Sequence, residues 1–449
     1  TVFRESGIAQ PRTSLRRPSL RRMLALLVLA LAAGRGASNE NGLARTPPMG
    51  WRSWNLYGGG VDQELIERVM DGMVSRRRLV DGAPTSLCDL GYCDVALDDG
   101  WQLCDSVAGA PARYHDETGA PLVNTQRFPS LRNMTGKAHS LGLKAGWYGN
   151  NCICADDATG DSKYYAGDVA AVVDYGFDSL KMDGCGAQLD LQLYDDLFRS
   201  NSPRPISVEN CHWGSKKPFA PNATWCPWNT YRTSGDVQAT FGSVLKNLAS
   251  VEFYAAANLS RPGCWAYADM LEVGCSHGPH GDADSGLSPA EARTHFGAWA
   301  IVSSPLTLSH DVWNETVMDA IWPVISNREA IAVNQAYVGH SGALFHTSGS
   351  AAHDFADAAT GQIERVETPA QLFYAKPLGA GRTALLLVNA GDVAADLAVD
   401  FAAVPGADCA AGCAVRNVWA HADVGRAETA FTRSVAPHDS AFLIISAPA

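Results

Sequence analysis

The chain has 449 residues, of which 46% are hydrophobic and 18% are charged, as in a folded protein with a large buried core. Its length suits a large domain followed by a smaller one. The formal net charge of −12 excludes nucleic acid and an anionic membrane surface as expected partners.

The N-terminus has the pattern of a secretory signal. Arginine pairs at positions 16–17 and 21–22 precede an apolar run at 23–33, and small residues follow it. The run is too short for a permanent membrane span. A disordered basic N-terminus without a targeting role is the alternative. We expect residues 1–38 to direct the chain into the secretory pathway, giving a secreted, vacuolar or lysosomal mature protein without membrane attachment.

The chain contains twelve cysteines, which predict disulfide bonds in a secreted protein. It has neither a paired CxxC set nor an HExxH motif, so we expect neither a metal site nor a cofactor. Sequons that can carry glycans on surface loops occur at Asn133, Asn222, Asn258 and Asn314.

Short strand-like runs alternate with helical patterns between about residues 45 and 335. The predicted strands are Thr46–Trp54, Tyr92–Asp98, Lys144–Tyr148, Ser179–Asp183, Pro205–Glu209, Thr233–Asp236, Trp265–Leu271 and Leu306–Ser309. The predicted amphipathic helices include Gln63–Val80, Phe241–Ala255 and Pro289–Ile301. Eight such units predict a (β/α)8 TIM barrel over residues 39–337. A doubly wound open sheet is the alternative, but no Gly-rich phosphate loop follows the first run.

The helical periodicity fades beyond about Gly339. Apolar or alternating runs, separated by Gly, Pro, Asp and Asn, occur at Gln371–Lys376, Thr383–Val388, Leu397–Phe401 and Ala441–Ile445. We therefore expect residues 338–449 to form a C-terminal antiparallel β-sandwich domain that packs on the barrel.

Acidic residues lie at the ends of several predicted strands, and the C-terminal strand ends form the active face of such a barrel. They are Asp98, Asp99, Asp183, Glu209 and Asp236, and Asp269 lies within the seventh predicted strand. Aromatic residues near the same ends are Trp51, Trp54, Trp101, Trp147, Tyr148, Trp213 and Trp265. Sugar rings stack on aromatic faces, although ordinary packing must account for most of these side chains. A single strand-end aspartate is often a helix N-cap, whereas several together indicate a polar site.

Lys181 and Asp183 are two residues apart on a predicted strand, so both side chains should point into the barrel mouth. A buried charge there is costly unless it is paired, and a lysine would hold the carboxylate ionised. An ionised, fixed carboxylate is what a glycosidase nucleophile requires, and a structural ion pair is the alternative.

Asp236 is the candidate second carboxylate, and Arg232 is close enough in sequence to orient it. Its alternative role is to cap a following helix. The pair Asp98-Asp99 suits either hydrogen bonds to sugar hydroxyls or a hard cation.

Six segments occur in the order of one known family: Asn41–Trp51, Leu97–Trp101, Leu141–Tyr148, Lys181–Cys185, Cys211–Gly214 and Pro262–Met270. In these segments the chain resembles glycoside hydrolase family 27, the α-galactosidase and α-N-acetylgalactosaminidase family. The resemblance implies that Asp183 is the nucleophile and Asp236 the acid/base. It also implies a galactose pocket lined by Trp54, Asp98, Asp99, Tyr148, Lys181, Arg232 and Asp269.

The resemblance further implies three disulfides, Cys154–Cys185, Cys211–Cys226 and Cys409–Cys413, with Cys152 as a competing partner in the first. The chain departs from the family at His212, where a glutamate or a small residue is usual. We expect His212 and Trp213 to contact the sugar, and His212 to face its 2-position. Glu209 is a candidate for the missing carboxylate.

Together these features predict a retaining hydrolase of terminal α-D-galactosyl residues on oligosaccharides or glycoconjugates. The alternatives within the family are α-N-acetylgalactosaminidase and β-L-arabinopyranosidase activity. Outside it, they are a metal-dependent glycosyltransferase that uses Asp98-Asp99 and a carbohydrate-binding protein without catalysis. A homodimer is one expected oligomeric state.

Overall fold

The computed structural model describes residues 41–104, 108–109, 113–149, 154, 161–214, 220–276, 286–358 and 360–447. The expected targeting segment, residues 1–38, lies outside this part of the chain. Within the described ranges, no helix combines the length and the apolarity needed to cross a membrane. The sequon asparagines are all exposed.

The N-terminal region alternates strands and helices. Its strands are β1 (Met49–Arg52), β2 (Arg78–Val80), β3 (Ala83–Thr85), β4 (Asp94–Ala96), β5 (Lys144–Gly149), β6 (Ser179–Asp183), β7 (Ser207–Cys211), β8 (Thr230–Arg232), β9 (Trp265–Tyr267) and β10 (Leu306–Leu308). Its helices are α1 (Trp54–Tyr57), α2 (Gln63–Met73), α3 (Leu131–Ser140), α4 (Ser162–Tyr175), α5 (Leu191–Asn201), α6 (Phe241–Ser250), α7 (Glu252–Ala256), α8 (Pro289–Ile301), α9 (Glu315–Ile325) and α10 (Arg328–Gln335). Helix α2 is shorter than predicted because β2 occupies the end of the expected helix.

Eight parallel strands form one sheet in the order β10-β1-β4-β5-β6-β7-β8-β9, while β2 and β3 form a separate hairpin. The strands at the two ends of this order are connected where the Leu271 amide donates to the Thr307 carbonyl at 2.7 Å. The sheet thus curls into a barrel, and the C-terminal ends of its strands share one rim.

The sixth barrel strand was wrongly placed by the sequence prediction of Thr233–Asp236. The strand is Thr230–Arg232, whose residues are all buried and pair with Trp265–Tyr267. Thr233 still donates its amide to Tyr267, but Ser234 and Gly235 have low strand propensity and begin the loop. Asp236 therefore lies on a loop beyond the strand.

The C-terminal region is built of antiparallel strands. They are β11 (Ala343–Ser348), β12 (Ala351–Ala356), β13 (Ile363–Thr368), β14 (Gln371–Gly379), β15 (Arg382–Asn389), β16 (Ala395–Asp400), β17 (Cys413–Asn417), β18 (Ala422–Ala427), β19 (Ala430–Val435) and β20 (Ser440–Ser446). Six form a sheet in the order β11-β14-β15-β20-β17-β18, and the pairs β12-β13 and β16-β19 accompany it.

Strand β15 shows how this sheet packs on the barrel. Leu386 and Val388 belong to the core shared with the barrel, whereas Leu385 and Leu387, on the opposite face, belong to a second core inside the C-terminal region. Helix α8 meets the first face closely, since a Cβ on Gly297 would lie 2.9 Å from Leu386 Cδ1. The glycine permits this contact, so helix and sheet share a continuous apolar core.

The disulfides correct two of the predicted pairings. Cys226 bonds Cys264, and Cys211 is a buried free thiol. The reason is position along the barrel axis: Cys211 ends β7 at the C-terminal rim, whereas Cys226 and Cys264 precede β8 and β9 at the opposite rim.

The predicted Cys154–Cys185 bond is also wrong, because Cys154 bonds Cys104. Cys185 is itself disulfide-bonded, and the competing partner Cys152 lies outside the described residues. Further bonds join Cys88 to Cys93 and Cys409 to Cys413.

We predict that Cys226→Ser/Cys264→Ser lowers the free energy of unfolding by about 3–4 kcal/mol, because the bond spans 38 residues. The matched variant Cys409→Ser/Cys413→Ser releases a span of only 4 residues and should lose about 2 kcal/mol. Thermal unfolding measures both losses, and non-reducing peptide mapping identifies the bonds. A Cys211–Cys226 crosslink in the map would contradict the assignment.

Candidate active site

The predicted site residues meet at the C-terminal rim of the barrel. Asp183 is the last residue of β6, and Lys181 precedes it by two on the same strand. Tyr148 on β5 lies in register with Lys181. Asp98 and Asp99 follow β4, and both are buried. Parallel register thus brings three neighbouring strands to one polar centre.

Asp183 is held by hydrogen bonds on both carboxylate oxygens. Tyr148 donates its hydroxyl to Oδ2 at 2.9 Å, and the Gly184 amide donates to Oδ1 at 2.7 Å. The Tyr148 hydroxyl also lies 3.3 Å from Asp99 Oδ2. Because Asp183 is only 6% exposed, these bonds fix the direction in which the carboxylate faces.

Lys181 forms its ion pair with Asp98, whose Oδ2 lies 2.8 Å from Nζ. Arg52 approaches the same oxygen at 3.5 Å and donates to Glu209 at 2.9 Å. Burial opposes ionisation of Asp98, but the two cations outweigh it and lower the pKa of this carboxyl. Lys181 therefore acts on Asp183 through space and not through the direct pair that the sequence suggested.

Burial raises the pKa of Asp183 from 3.8 to about 6. The positive charge of Lys181 and the Tyr148 hydrogen bond oppose this rise, whereas Asp98 and Asp236 add to it. Asp183 is thus a carboxyl that ionises at mildly acidic pH while fixed in a desolvated site.

Asp236 lies on the loop after β8 and is oriented by Arg232, which donates to its Oδ1 at 3.0 Å. Arg232 also pairs with Asp269 at 2.9 Å, and Asp269 accepts the Val237 amide at 2.8 Å. The backbone of Asp269 has a left-handed φ of 92°, a strained conformation for a non-glycine residue. These contacts fix the Asp236 loop, yet 45% of the Asp236 side chain stays exposed.

Two of the predicted tryptophans and His212 follow the C-terminal ends of β1 and β7, whereas Trp51, Trp101, Trp147 and Trp265 are fully buried. Trp54 begins α1 directly after β1 and is half-buried, whereas Trp213 follows β7 and is 41% exposed. A Cβ on Gly184 would lie 3.1 Å from both His212 and Trp213, so these two side chains press against the loop that follows Asp183. Burial lowers the pKa of His212 to about 4, which makes it a neutral imidazole at neutral pH.

Glu209 does not supply the carboxylate missing at position 212. It lies two residues before Cys211 on β7, one layer deeper in the barrel, where Arg52 holds it.

The prediction from sequence missed Arg52 and Ser53. Arg52 ends β1 among buried carboxylates, and the Ser53 hydroxyl accepts the Asp98 amide at 3.0 Å. A charged arginine within a predicted barrel strand was the available signal for this partner.

Known proteins are similar to this chain along most of its length. Residues 46–336 match the family described as Alpha galactosidase A, and residues 369–445 match the Alpha galactosidase C-terminal beta sandwich domain. An alpha-galactosidase of Oryza sativa subsp. japonica is 30% identical over 418 residues, which cover 91% of this chain and 86% of that protein. One of Coffea arabica is 29% identical over 415 residues, covering 90% and 95%.

Solved structures have the same architecture. Alpha-galactosidase I from Mortierella vinacea has a TM-score of 0.70 at 25% identity, covering 91% of this chain and 100% of that one. The alpha-galactosidase of Saccharomyces cerevisiae has a TM-score of 0.72 at 19% identity, covering 92% and 100%, and indicates the fold alone. The predicted (β/α)8 barrel with a C-terminal β-sandwich is confirmed.

We predict that Asp183→Asn stabilises the fold only where the carboxyl is ionised. The pKa of Asp183 is higher in the folded than in the unfolded chain, so ionisation of this carboxyl destabilises the fold. This destabilisation is absent below pH 3.8, grows between pH 3.8 and about 6, and is constant at higher pH. The difference between these two values corresponds to about 3 kcal/mol. Thermal unfolding of both proteins between pH 4 and 7.5 tests this. An offset that is equal at every pH would instead indicate a change in packing.

Proposed function

The chain belongs to glycoside hydrolase family 27, the α-galactosidase family, and we propose that it releases terminal α-D-galactosyl residues with net retention by double displacement. The observation that supports this most is the pairing of a buried, fixed Asp183 with a half-exposed Asp236 at one barrel rim. The two carboxyls are close enough for Asp236 to raise the pKa of Asp183. Retention requires a separation of about 5–5.5 Å between such groups.

In the proposed first step, Asp183 attacks the anomeric carbon and forms a covalent galactosyl-enzyme. Ionised Asp183 is held by Tyr148 and Gly184, so little reorganisation precedes attack. Burial that raises its pKa also makes the carboxylate a better nucleophile than a solvated one.

Asp236 protonates the departing oxygen in that step and then deprotonates the water that releases galactose. Its exposure gives the leaving group and the water access to it. Once the leaving group has departed, water can occupy the position that it held beside Asp236. The same residue can therefore serve first as an acid and then as a base.

The other rim residues form the proposed galactose pocket. Asp98, Asp99, Lys181, Arg232 and Asp269 provide charged groups for the sugar hydroxyls. Trp54 and Trp213 offer aromatic faces for the apolar side of the ring.

His212 is proposed to select the group at the sugar 2-position. It is buried and neutral at neutral pH, so it offers a planar hydrogen-bonding group and no charge. α-N-Acetylgalactosaminidase and β-L-arabinopyranosidase activities remain the candidates against which galactose preference is judged. Relative kcat/KM on the three aryl glycosides separates them.

Two alternative functions, a glycosyltransferase and a binding protein without catalysis, are less consistent with the site. A glycosyltransferase would need Asp98-Asp99 to hold a cation, but Lys181 and Arg52 already neutralise Asp98. A binding protein without catalysis would not need two oriented carboxylates at the same rim. Activity that survives a chelator excludes the first, and galactoside turnover excludes the second.

We propose that residues 1–38 are a targeting segment, that the domains span 39–337 and 338–449, and that the mature protein is a secreted, vacuolar or lysosomal glycoprotein. A homodimer is proposed as its oligomeric state.

We predict that Asp183→Gly reduces kcat on an aryl α-galactoside by at least about 10³-fold, because no covalent intermediate can form. Added azide should restore turnover and give β-galactosyl azide, whereas Asp236→Ala with azide should give the α-anomer. NMR identifies the azide anomers and the first anomer of free galactose from the wild type. Initial release of β-galactose would contradict retention, and full activity of Asp183→Gly would exclude this nucleophile.

We predict that kcat/KM for the wild-type protein falls tenfold per pH unit below about 6, since protonated Asp183 cannot attack. Tyr148→Phe removes a hydrogen bond that stabilises the Asp183 carboxylate. The acid limb of the kcat/KM–pH profile of this variant should therefore move to higher pH. The matched variant Tyr337→Phe alters a half-buried tyrosine whose hydroxyl contacts Asn258, and it should leave the limb in place. An unchanged limb in Tyr148→Phe would exclude Asp183 as its origin.

A further inference from the structure

A cluster of imidazole and carboxylate groups lies far from the catalytic residues in sequence and is not needed for glycoside hydrolysis. His353 lies on β12, Asp392 follows β15, and His438 precedes β20. One ring nitrogen of each histidine and one oxygen of Asp392 lie within 4.8 Å of one another. We propose that these three residues bind a zinc ion where the C-terminal region meets the barrel.

His438 has the surroundings of a metal ligand. Its Nε2 lies 3.1 Å from Asp392 Oδ1, close to the spacing of about 3.3 Å between two donors on one tetrahedral zinc. Its Nδ1 lies 2.8 Å from Glu291 Oε1. A carboxylate at the second nitrogen fixes the tautomer and strengthens the imidazole as a ligand. The donor at Nε2 is thereby directed towards Asp392 and His353.

His353 supplies an independent indication of a ligand. The residue is only 9% exposed, and its Nε2 has no hydrogen-bond partner among the described residues. An ion-pair network between His438 and its two carboxylates would leave this buried nitrogen unsatisfied. A metal ion shared with His438 and Asp392 satisfies it. Asp392 is 84% exposed, so its side chain is free to adjust its distance to the ion.

The donor set indicates zinc rather than calcium or magnesium. Two imidazoles and one carboxylate suit borderline metals, whereas calcium and magnesium prefer sites made of oxygen. Three protein ligands leave a fourth tetrahedral position, which water can fill on the exposed side of Asp392. The spacing motifs sought in the sequence could not reveal this site, because its ligands come from separate parts of the chain.

The site would connect two regions of the protein. Glu291 belongs to α8 of the barrel, while the three ligands belong to the C-terminal region. Arg293, also on α8, pairs with Asp439 beside His438 at 2.6 Å. Zinc at this point favours the packed arrangement of the two regions, and it stabilises the folded chain because the unfolded chain lacks the site.

The test uses the full chain, freed of any affinity tag and of metal, and titrated with zinc chloride. Calorimetry should show one saturable zinc equivalent, and the thermal midpoint should rise with zinc. At a concentration 100 times Kd, the folding equilibrium constant should increase about 100-fold. Cobalt(II) in place of zinc should give the visible absorption bands of a tetrahedral site.

The variants distinguish a built site from incidental binding. His353→Gln and Asp392→Asn should abolish the saturable zinc equivalent and the cobalt bands. Asp392 is an exposed loop residue, so its variant should fold normally, and α-galactosidase activity verifies this. The matched control His346→Gln changes an exposed histidine of the same region outside the cluster and should bind zinc like the wild type.

Glu291→Gln tests the contribution of the second carboxylate. Glutamine can retain the capping interaction with Ser288 at the start of α8, but it lacks the charge beside His438. Zinc should therefore bind about 10–100-fold more weakly. Zinc binding that persists in both His353→Gln and Asp392→Asn, or its absence from the wild type, would overturn the proposal.

Discussion

The proposed active site depends on keeping several buried carboxylates ionised. Both burial and the negative charge of neighbouring carboxylates favour protonation. Asp98 and Asp269 are each almost fully buried, and neighbouring negative charge helps to raise the pKa values of Asp183 and Asp269. Lys181 and Arg232 each pair with one of these carboxylates. The positions of the proposed catalytic residues follow from this balance, because each cation fixes a carboxylate or a loop that carries one.

The two proposed catalytic carboxyls are held in place in different ways. Asp183 ends a strand, so barrel register fixes its backbone, and Tyr148 and Gly184 fix its oxygens. Asp236 lies on a loop, and its position depends on Arg232 and on the strained backbone of Asp269. The barrel provides a rigid reacting group, while the loop provides one with access to solvent. A double displacement needs both properties.

The sequence was sufficient for the barrel, for its C-terminal β-sandwich and for the family, because strand–helix alternation and local motifs are short-range patterns. It failed where the outcome depended on position along the barrel axis. The Cys211–Cys226 pairing was wrong because fifteen residues of chain carry Cys226 to the opposite rim. Strand β8 was misplaced because its position is set by the burial of Thr230–Arg232 and by pairing with β9, which is distant in sequence. Arg52 was missed because its partners, Asp98 and Glu209, are distant in sequence.

The unequal exposure of Asp183 and Asp236 also determines how the proposed enzyme treats the two halves of its substrate. The sugar end is proposed to lie against buried charged residues that ion pairs hold in place. The other end is proposed to leave past Asp236, whose side chain is 45% exposed. We therefore expect selection to be stricter for the terminal unit than for the molecule that bears it, so that short oligosaccharides and larger glycoconjugates can share the same pair of carboxyls.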